Sequence, residues 1–442
     1  MENNEPSSRR VSIYPILTIN FVGTLGFSIV LPFLVFLVTR WGGNALIYGI
    51  MGATYSAFQL VGAPILGRWS DAFGRRRILL LSQIGTLVSW VLFLIAMYLP
   101  VTPIYAAVGG PLGTFTLTLP LLVLFLARAL DGATGGNVSV ANAYLADVTE
   151  ERDRTAAFGK MAVSGNLGFI VGPALAGFLG GTNWGEVAPI TAALAISVVA
   201  TMIIAFALPE SRPCVVDTSP AGSHRVFGQE QRDCYEGRKD GKPTARMILS
   251  LPHVGFTLLL QFLVWLAFNF FYITFPVHAV TVLEWTVRDT GIFFSVMGGL
   301  MVLVQGPILG WASRKWPSGQ LVTFGSMVLV ASFALFTQSG LVTIYVAAIL
   351  LALGNGLMWP SLTAYLSTLA GNEYQGAVQG FAGSSAAVAS ILGLVVGGLL
   401  YDRLGSTITF STAAAIILVV CLFSFRCRVQ IPKEPSVASA SE

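Results

Sequence analysis

GRWSDAFGRRRIL, residues 67–79, is a polar and cationic hinge set between two long apolar runs. A short charged segment with apolar helices on both sides reads as a cytoplasmic loop of a multi-span membrane protein. Within it, Gly67 and Gly74 let the backbone turn without a Cβ. Asp71 is placed to cap a helix start or to pair with Arg75 four residues on. Arg75, Arg76 and Arg77 stay in water and hold the loop at the inner face. The plainer reading is that these three arginines are topology anchors only.

The rest of the chain agrees with a lipid setting. Of 442 residues, 55% are hydrophobic and 10% charged, and the mean hydropathy is +0.75, whereas a soluble globular chain is roughly one quarter charged. Apolar runs able to cross roughly 30 Å of hydrocarbon as helices fall at 12–38, 46–66, 78–99, 119–145, 156–180, 187–208, 250–275, 291–312, 320–339, 342–367, 377–400 and 407–425. The uncharged stretch from Pro100 to Pro120 blurs the exit from the third run, since part of it is apolar enough to enter the membrane. With the amino terminus inside, Arg40, Arg288 and Arg403 are left outside and Arg128 within a span. The remaining Lys and Arg are then cytoplasmic, as are both termini. The net charge of +4 follows from this topology and is no argument for nucleic acid. Ser8-Arg9-Arg10 has the form of a twin-arginine export signal. The apolar run after it is far longer than a signal core of about 7–15 residues, and no small-residue cleavage site follows.

Cys214, Cys234, Cys421 and Cys427 form no CxxC pair and are expected to be reduced thiols. His224, His253 and His278 are scattered, so no metal site is supported. There is neither a Walker loop to bind nucleotide nor a nucleophile with a base in reach, so no enzyme and no cofactor is expected.

The chain carries an internal repeat. Pro64-Ile65-Leu66-Gly67 recurs as Pro307-Ile308-Leu309-Gly310, and Ala143-Tyr144-Leu145 as Ala364-Tyr365-Leu366, followed at equal distance by Gly159 and Gly380. Two six-helix halves follow, 1–208 and 250–442, the second ending in a short cytoplasmic tail. The polar linker 209–249 is too short for a core of its own. In the fourth span Arg128 and Asp131 share a helical face, which Gly135, Ser139 and Asn142 continue. Charges at that depth are costly and functional by default, the alternative being a helix-packing pair.

The order Gly67, Asp71, Gly74, Arg75, Arg76 resembles the loop between the second and third helices of major facilitator superfamily transporters. Trp69 and Ala72 depart from that pattern, and the second-half copy, Gly310-Trp311-Ala312-Ser313-Arg314, lacks the acid. The resemblance implies a fold of 12 transmembrane helices in two pseudo-symmetric halves, all α. It also implies that this loop latches the inner ends of the halves when the cavity faces outward. The Arg128 segment resembles the fourth-helix motif of the drug/proton antiporter group, in which the Arg is tied to proton transfer; Asp131 is no part of that motif. Gly168-x-x-x-Gly172-Pro173-x-x-Ala176-Gly177 matches the group's fifth-helix pattern except at Ala176. In the family that helix is associated with export, whereas small-residue packing alone would also favour such spacing. Residues 143–154 resemble the tetracycline-efflux branch. That branch carries an acid in the first span where Gly23 stands here. Either Asp131 carries the proton, or the coupling differs from that of these relatives.

The resemblance places a cavity between the halves near mid-membrane. Gln261, Trp265 and Asn269 share one face of the seventh span, Tyr55 and Gln59 one of the second, and Asn355 and Trp359 one of the tenth, with Asn20 in the first. A partly aromatic, mostly neutral pocket of this kind suits amphiphilic organic compounds. The expectation is a monomeric exporter of a small molecule, driven by protons and working by alternating access. It would sit in the bilayer of a bacterial inner membrane or another cellular membrane. The alternatives are an uncoupled facilitator or symporter, and a transporter-like sensor or scaffold that binds without flux.

Overall fold

Apolar helices with few charged positions pack into a bundle, and the computed structural model describes residues 12–109, 113–135, 137–149, 154–211 and 245–428 of it. The Ser8–Arg10 segment, the linker cysteines Cys214 and Cys234, and His224 lie outside the described residues. The first half comprises α1 (Tyr14–Ile29), α2 (Leu31–Arg40), α3 (Ala45–Phe73), α4 (Arg75–Tyr98), β1 (Pro103–Ala107), β2 (Phe115–Thr118), α5 (Leu119–Thr134), α6 (Asn137–Val148), α7 (Arg154–Gly180) and α8 (Val187–Met202). The second comprises α9 (Ala245–Ser250), α10 (Val254–Thr281), α11 (Val287–Leu303), α12 (Leu309–Lys315), α13 (Ser318–Leu335) and α14 (Leu341–Ser424). π-helical turns follow α8 and α11, at Ile203–Ala207 and Val304–Ile308.

Local chemistry sets several helix starts. Asn44 caps α3, its side chain accepting from Ile47 N at 3.0 Å. Thr286 and Asp289 form a reciprocal capping box on α11. Pro120 lies in the first turn of α5, where a missing N–H breaks no helix bond. Glycines let the first-half helices approach closely: a Cβ at Gly132 would press on the Tyr55 carbonyl of α3, and one at Gly85 on the Thr134 side chain. Large apolar side chains such as Val61, Leu126, Phe178 and Phe206 are exposed on the bundle's flanks, as a lipid-facing surface requires.

Ten helical stretches among the described residues are long and apolar enough to cross a membrane. The difference from twelve has two sources. The first expected span, 12–38, is divided at Val30 into α1 and α2, each shorter than a crossing. The last two, 377–400 and 407–425, run on inside α14, whose 84 residues would extend about 126 Å if straight. Gly405, at φ +78°, lies between those two expected spans in a left-handed conformation that glycine adopts readily.

The described residues of the stretch Pro100–Pro120 do not prolong the third apolar helix. They fold into the antiparallel hairpin β1–β2, an addition to an otherwise helical fold, with Ile104 and Tyr105 exposed. Thr116 N donates to the Gly42 carbonyl at 2.7 Å and the Thr118 hydroxyl to that of Trp41 at 3.1 Å, so the hairpin lies over the α2–α3 turn. It marks one end of the bundle, and Arg75 marks the other.

The halves meet at the hairpin end. One buried apolar cluster joins Phe33, Leu37, Trp41 and Met51 of the first half to Ile273, Val277 and Val287 of the second. A Cβ at Gly177 of α7 would lie 2.7 Å from Gly291 Cα of α11. The second half keeps its own aromatic core, in which Phe275 stacks on Phe293 with centroids 4.1 Å apart.

Candidate functional site

Arg128 and Asp131 lie three residues apart on α5, so one helical turn brings their side chains together. Arg128 Nη1 stands 3.2 Å from Asp131 Oδ2, and the other carboxylate oxygen accepts from the Thr86 hydroxyl of α4 at 3.1 Å. Tyr55 of α3 lies beneath the guanidinium, its ring centroid 4.5 Å from Arg128 Cζ. The Gln59 amide donates to the Tyr55 hydroxyl and to the Gly135 carbonyl, each at 3.1 Å. Arg128 is only 4% exposed, and its Nε is buried without a hydrogen-bond partner. Tyr55 and Gln59, expected in the pocket, thus serve the charge pair. Thr86 was not anticipated; its side chain reaches Asp131 from another helix, which spacing within α5 does not reveal. The polar face does not continue as expected: α5 ends at Thr134, a new helix starts at Asn137, and Ser139 is exposed.

A cavity of about 210 Å³ lies between α7 of the first half and α10, α11 and α14 of the second. Of the expected contacts, Trp265, Asn355 and Trp359 line it, the two indoles meeting edge to face at 5.1 Å. Pro173, from the expected antiporter motif, lines its opposite wall with Phe169 and Ile170. Phe268, Tyr272, Phe294, Met297, Met301 and Gln305 also contribute and were missed. Phe268 and Tyr272 share the helical face of Trp265, and that spacing was the available signal. Gln305 and Asn355 offer amides, and no charged side chain is among the lining residues.

The other expected contacts are engaged or buried elsewhere. Asn20 donates to the Met161 carbonyl at 2.9 Å and to Ser164 Oγ at 3.0 Å, tying α1 to α7. Asn269 donates to the Trp265 carbonyl and to Ser390 Oγ, inside the second half. Gln261 is 7% exposed, and its Oε1 is buried without a hydrogen-bond partner.

Three glycines of α7 have positional reasons. A Cβ at Gly168 would lie 2.7 Å from the Phe21 carbonyl of α1, and Gly172 presses on Ser28, whose hydroxyl donates to the Gly168 carbonyl at 2.9 Å. Gly168 and Gly172 therefore seat α7 on α1, while Gly177 seats it on α11. Pro173, between them, faces the cavity.

At the Arg75 end the hinge is tighter than expected. α3 runs through Gly67 to Phe73, and the turn falls on Gly74 alone, at φ +94°. Gly67 is helical, and its Cβ position is in open space. Asp71 pairs with Arg75 at 2.6 Å as expected, but the start of α4 is capped by Glu210, which accepts from Arg75 N at 2.8 Å and from Arg76 N. Arg75 Nε also pairs with Asp147 of α6 at 3.1 Å, both side chains being nearly buried. Arg76 donates to the carbonyls of Ile204 and Ala205 in the π-helical turn after α8. In this conformation these contacts join helices of the first half to one another and do not cross to the second.

The sequence profile described as Major Facilitator Superfamily matches residues 16–342 and 320–442. The chain is 27% identical over 399 residues to the class E tetracycline resistance protein of Escherichia coli, covering 88% of each chain. It is 24% identical to multidrug resistance protein 2 of Bacillus subtilis (strain 168), covering 88% of this chain and 89% of that one. Among solved structures, the human organic anion transporter MFSD10 (TETRAN) superposes with a TM-score of 0.64 at 22% identity, covering 95% of this chain and all of that one. A D-xylose–proton symporter does so with a TM-score of 0.70 at 12% identity, covering 94% and 96%. At these identities the solved structures speak for the fold.

Proposed function

The chain belongs to the Major Facilitator Superfamily, and from that premise we propose that it exports a small amphiphilic organic compound in exchange for protons. It is a multi-pass integral membrane transporter and not an enzyme. In this reading twelve spans form two six-helix halves that rock about the cavity, with the hairpin end outside and both termini and the Arg75 end in the cytoplasm. With the hairpin end outside and packed shut by the apolar cluster of the two halves, the arrangement is read as inward-facing. The observation that carries the reading is the cavity between the halves, where Trp265, Trp359 and Asn355 oppose Pro173 of the antiporter-like helix. An aromatic wall with a few amides binds flat amphiphiles by area and orients them by hydrogen bonds. A proton gradient would supply the energy, coupled to transport through the Arg128–Asp131 pair. Desolvation and the adjacent guanidinium act in opposite senses on when such a carboxylate takes up a proton. Protonation of Asp131 weakens its hold on Arg128, and Arg128, resting on Tyr55, passes the change to α3.

Gly23, standing where related exporters carry an acid, favours a second reading as an uncoupled facilitator or symporter. Counterflow in proteoliposomes decides between them, with tetracycline and ethidium as probes. Proton-coupled export predicts that an acidic lumen raises probe accumulation well above counterflow at equal pH, whereas a proton symporter predicts that an acidic exterior does so. Equal accumulation with and without the gradient supports the facilitator, and probe binding without flux supports a sensor or scaffold.

A further inference from the structure

Helix α3 is capped twice, by its own chain and by the other half. Asn44 accepts from Ile47 N, which is the ordinary local cap. The two preceding amides are taken by Asp402, more than 350 residues later: Ala45 N donates to Oδ1 at 3.1 Å and Leu46 N to Oδ2 at 2.8 Å. Both carboxylate oxygens are thereby occupied by the first turn of a helix in the opposite half, where the partial positive charge of the helix terminus also favours an anion. Within the α3 sequence Ala45–Met51 and the hairpin stretch 100–120 there is no charged residue, so these segments offer Asp402 backbone groups rather than a counter-ion.

The setting is a close helix–helix seam. A Cβ at Gly398, one turn before Asp402, would lie 2.9 Å from Leu46 Cα, and a Cβ at Gly49 would press on the Leu394 carbonyl. A seam of this kind is held by dispersion and is non-directional. The carboxylate at its end adds two directed, charge-assisted bonds. α3 does not need them to form, because its local cap remains when Asp402 leaves and first-turn amides at a helix end are readily solvated.

We infer that Asp402 is a positioning residue of the transport cycle, a strap from the second half onto the start of α3 that holds the outer mouth shut and must release for the outward-facing state. The inference rests on the alternating-access reading in requiring such a state. It is independent of which substrate is carried and of whether protons drive it.

Pulsed electron–electron double-resonance distances on the full-length transporter test it, with the four native cysteines replaced by Ala. One spin-label pair, Tyr98→Cys with Val342→Cys, reports the outer ends; another, Trp69→Cys with Trp316→Cys, reports the inner ends. These positions are solvent- or lipid-exposed in the structure. Asp402→Ala is expected to raise the outer-open to outer-closed ratio about tenfold, with a matching inner closure. Asp402→Asn, which keeps an acceptor oxygen without the charge, is expected to give a smaller shift in the same direction, and it serves as the test if the alanine variant does not fold. Outer distances unchanged in these variants, while the parent protein samples both states, overturn the strap and leave alternating access standing. If neither pair moves in the parent protein at any pH or with tetracycline added, alternating access itself fails and Asp402 is a static cap.

Discussion

Trp359 and Asn20 illustrate what surrounds a polar or aromatic position inside a membrane. Trp359 meets Trp265 edge to face on the cavity wall, and such a pair contributes about 0.5–1.5 kcal/mol beyond area burial. Asn20 has spent its amide on Met161 and Ser164. In tetracycline counterflow, Trp359→Ala is therefore expected to raise KM about tenfold, equivalent to 1.4 kcal/mol of binding. Asn20→Ala should leave KM within about twofold and instead lower the melting temperature, since it removes both hydrogen bonds by which Asn20 ties α1 to α7. A larger KM effect for Asn20→Ala would move the binding site toward α1. The sequence shows both residues equally well, because helical spacing reports which face a side chain shares. It does not report that Asn20 meets partners more than 140 residues away. Arg128 and Asp131 were legible because their contact lies within one turn of one helix.

Helix ends explain more of the element-level differences than helix interiors do. The hinge at 67–79 was recognised as two helices and a charged turn, and the structure reduces the turn to Gly74 with Glu210 capping α4. Glu210 was not anticipated, since its partner comes from a helix start far upstream. The hairpin was likewise read as an apolar extension. Its Pro and Gly residues and alternating Thr are turn-and-strand signals that the lack of charge obscured. The two acids around Arg75 should behave differently. Asp71 is 55% exposed, and Arg75 retains Asp147 and Ser70 without it. Asp71→Asn is thus expected to change stability by no more than about 0.5 kcal/mol. If the loop latches onto the second half in the opposite state, the same substitution lowers transport about tenfold or more, in line with a lost coupling of 1–3 kcal/mol. Asp147→Asn, which removes the nearly buried carboxylate partner of Arg75 but leaves it Asp71 and Ser70, is expected to cost about 1–3 kcal/mol of stability. Thermal melting beside initial transport rates separates the two, and normal flux in Asp71→Asn would reduce the loop to a topology anchor.

Across the whole molecule, α3 connects the separate features. Its first turn is held by Asp402, its middle carries Tyr55 and Gln59 beside Arg128, and its last turn ends on Asp71 at the Gly74 hinge. A charge change at Asp131 is therefore one side chain away from a helix that touches both ends of the transporter. The expected two-half plan rests on the repeated Pro-Ile-Leu-Gly and Ala-Tyr-Leu segments. The cavity wall drawn from α7 was not legible in the sequence, because its Phe169 and Ile170 lie within a glycine-patterned helix that reads as packing. The central claim is that Asp131 loads the proton that drives export, and it is tested most directly in proteoliposomes holding a pH-sensitive dye, with tetracycline added under a pH gradient. The account predicts that tetracycline elicits proton movement and gradient-driven accumulation in the parent protein, and that Asp131→Asn loses both while keeping tetracycline exchange at equal pH. Gradient-driven accumulation that persists in Asp131→Asn would contradict it.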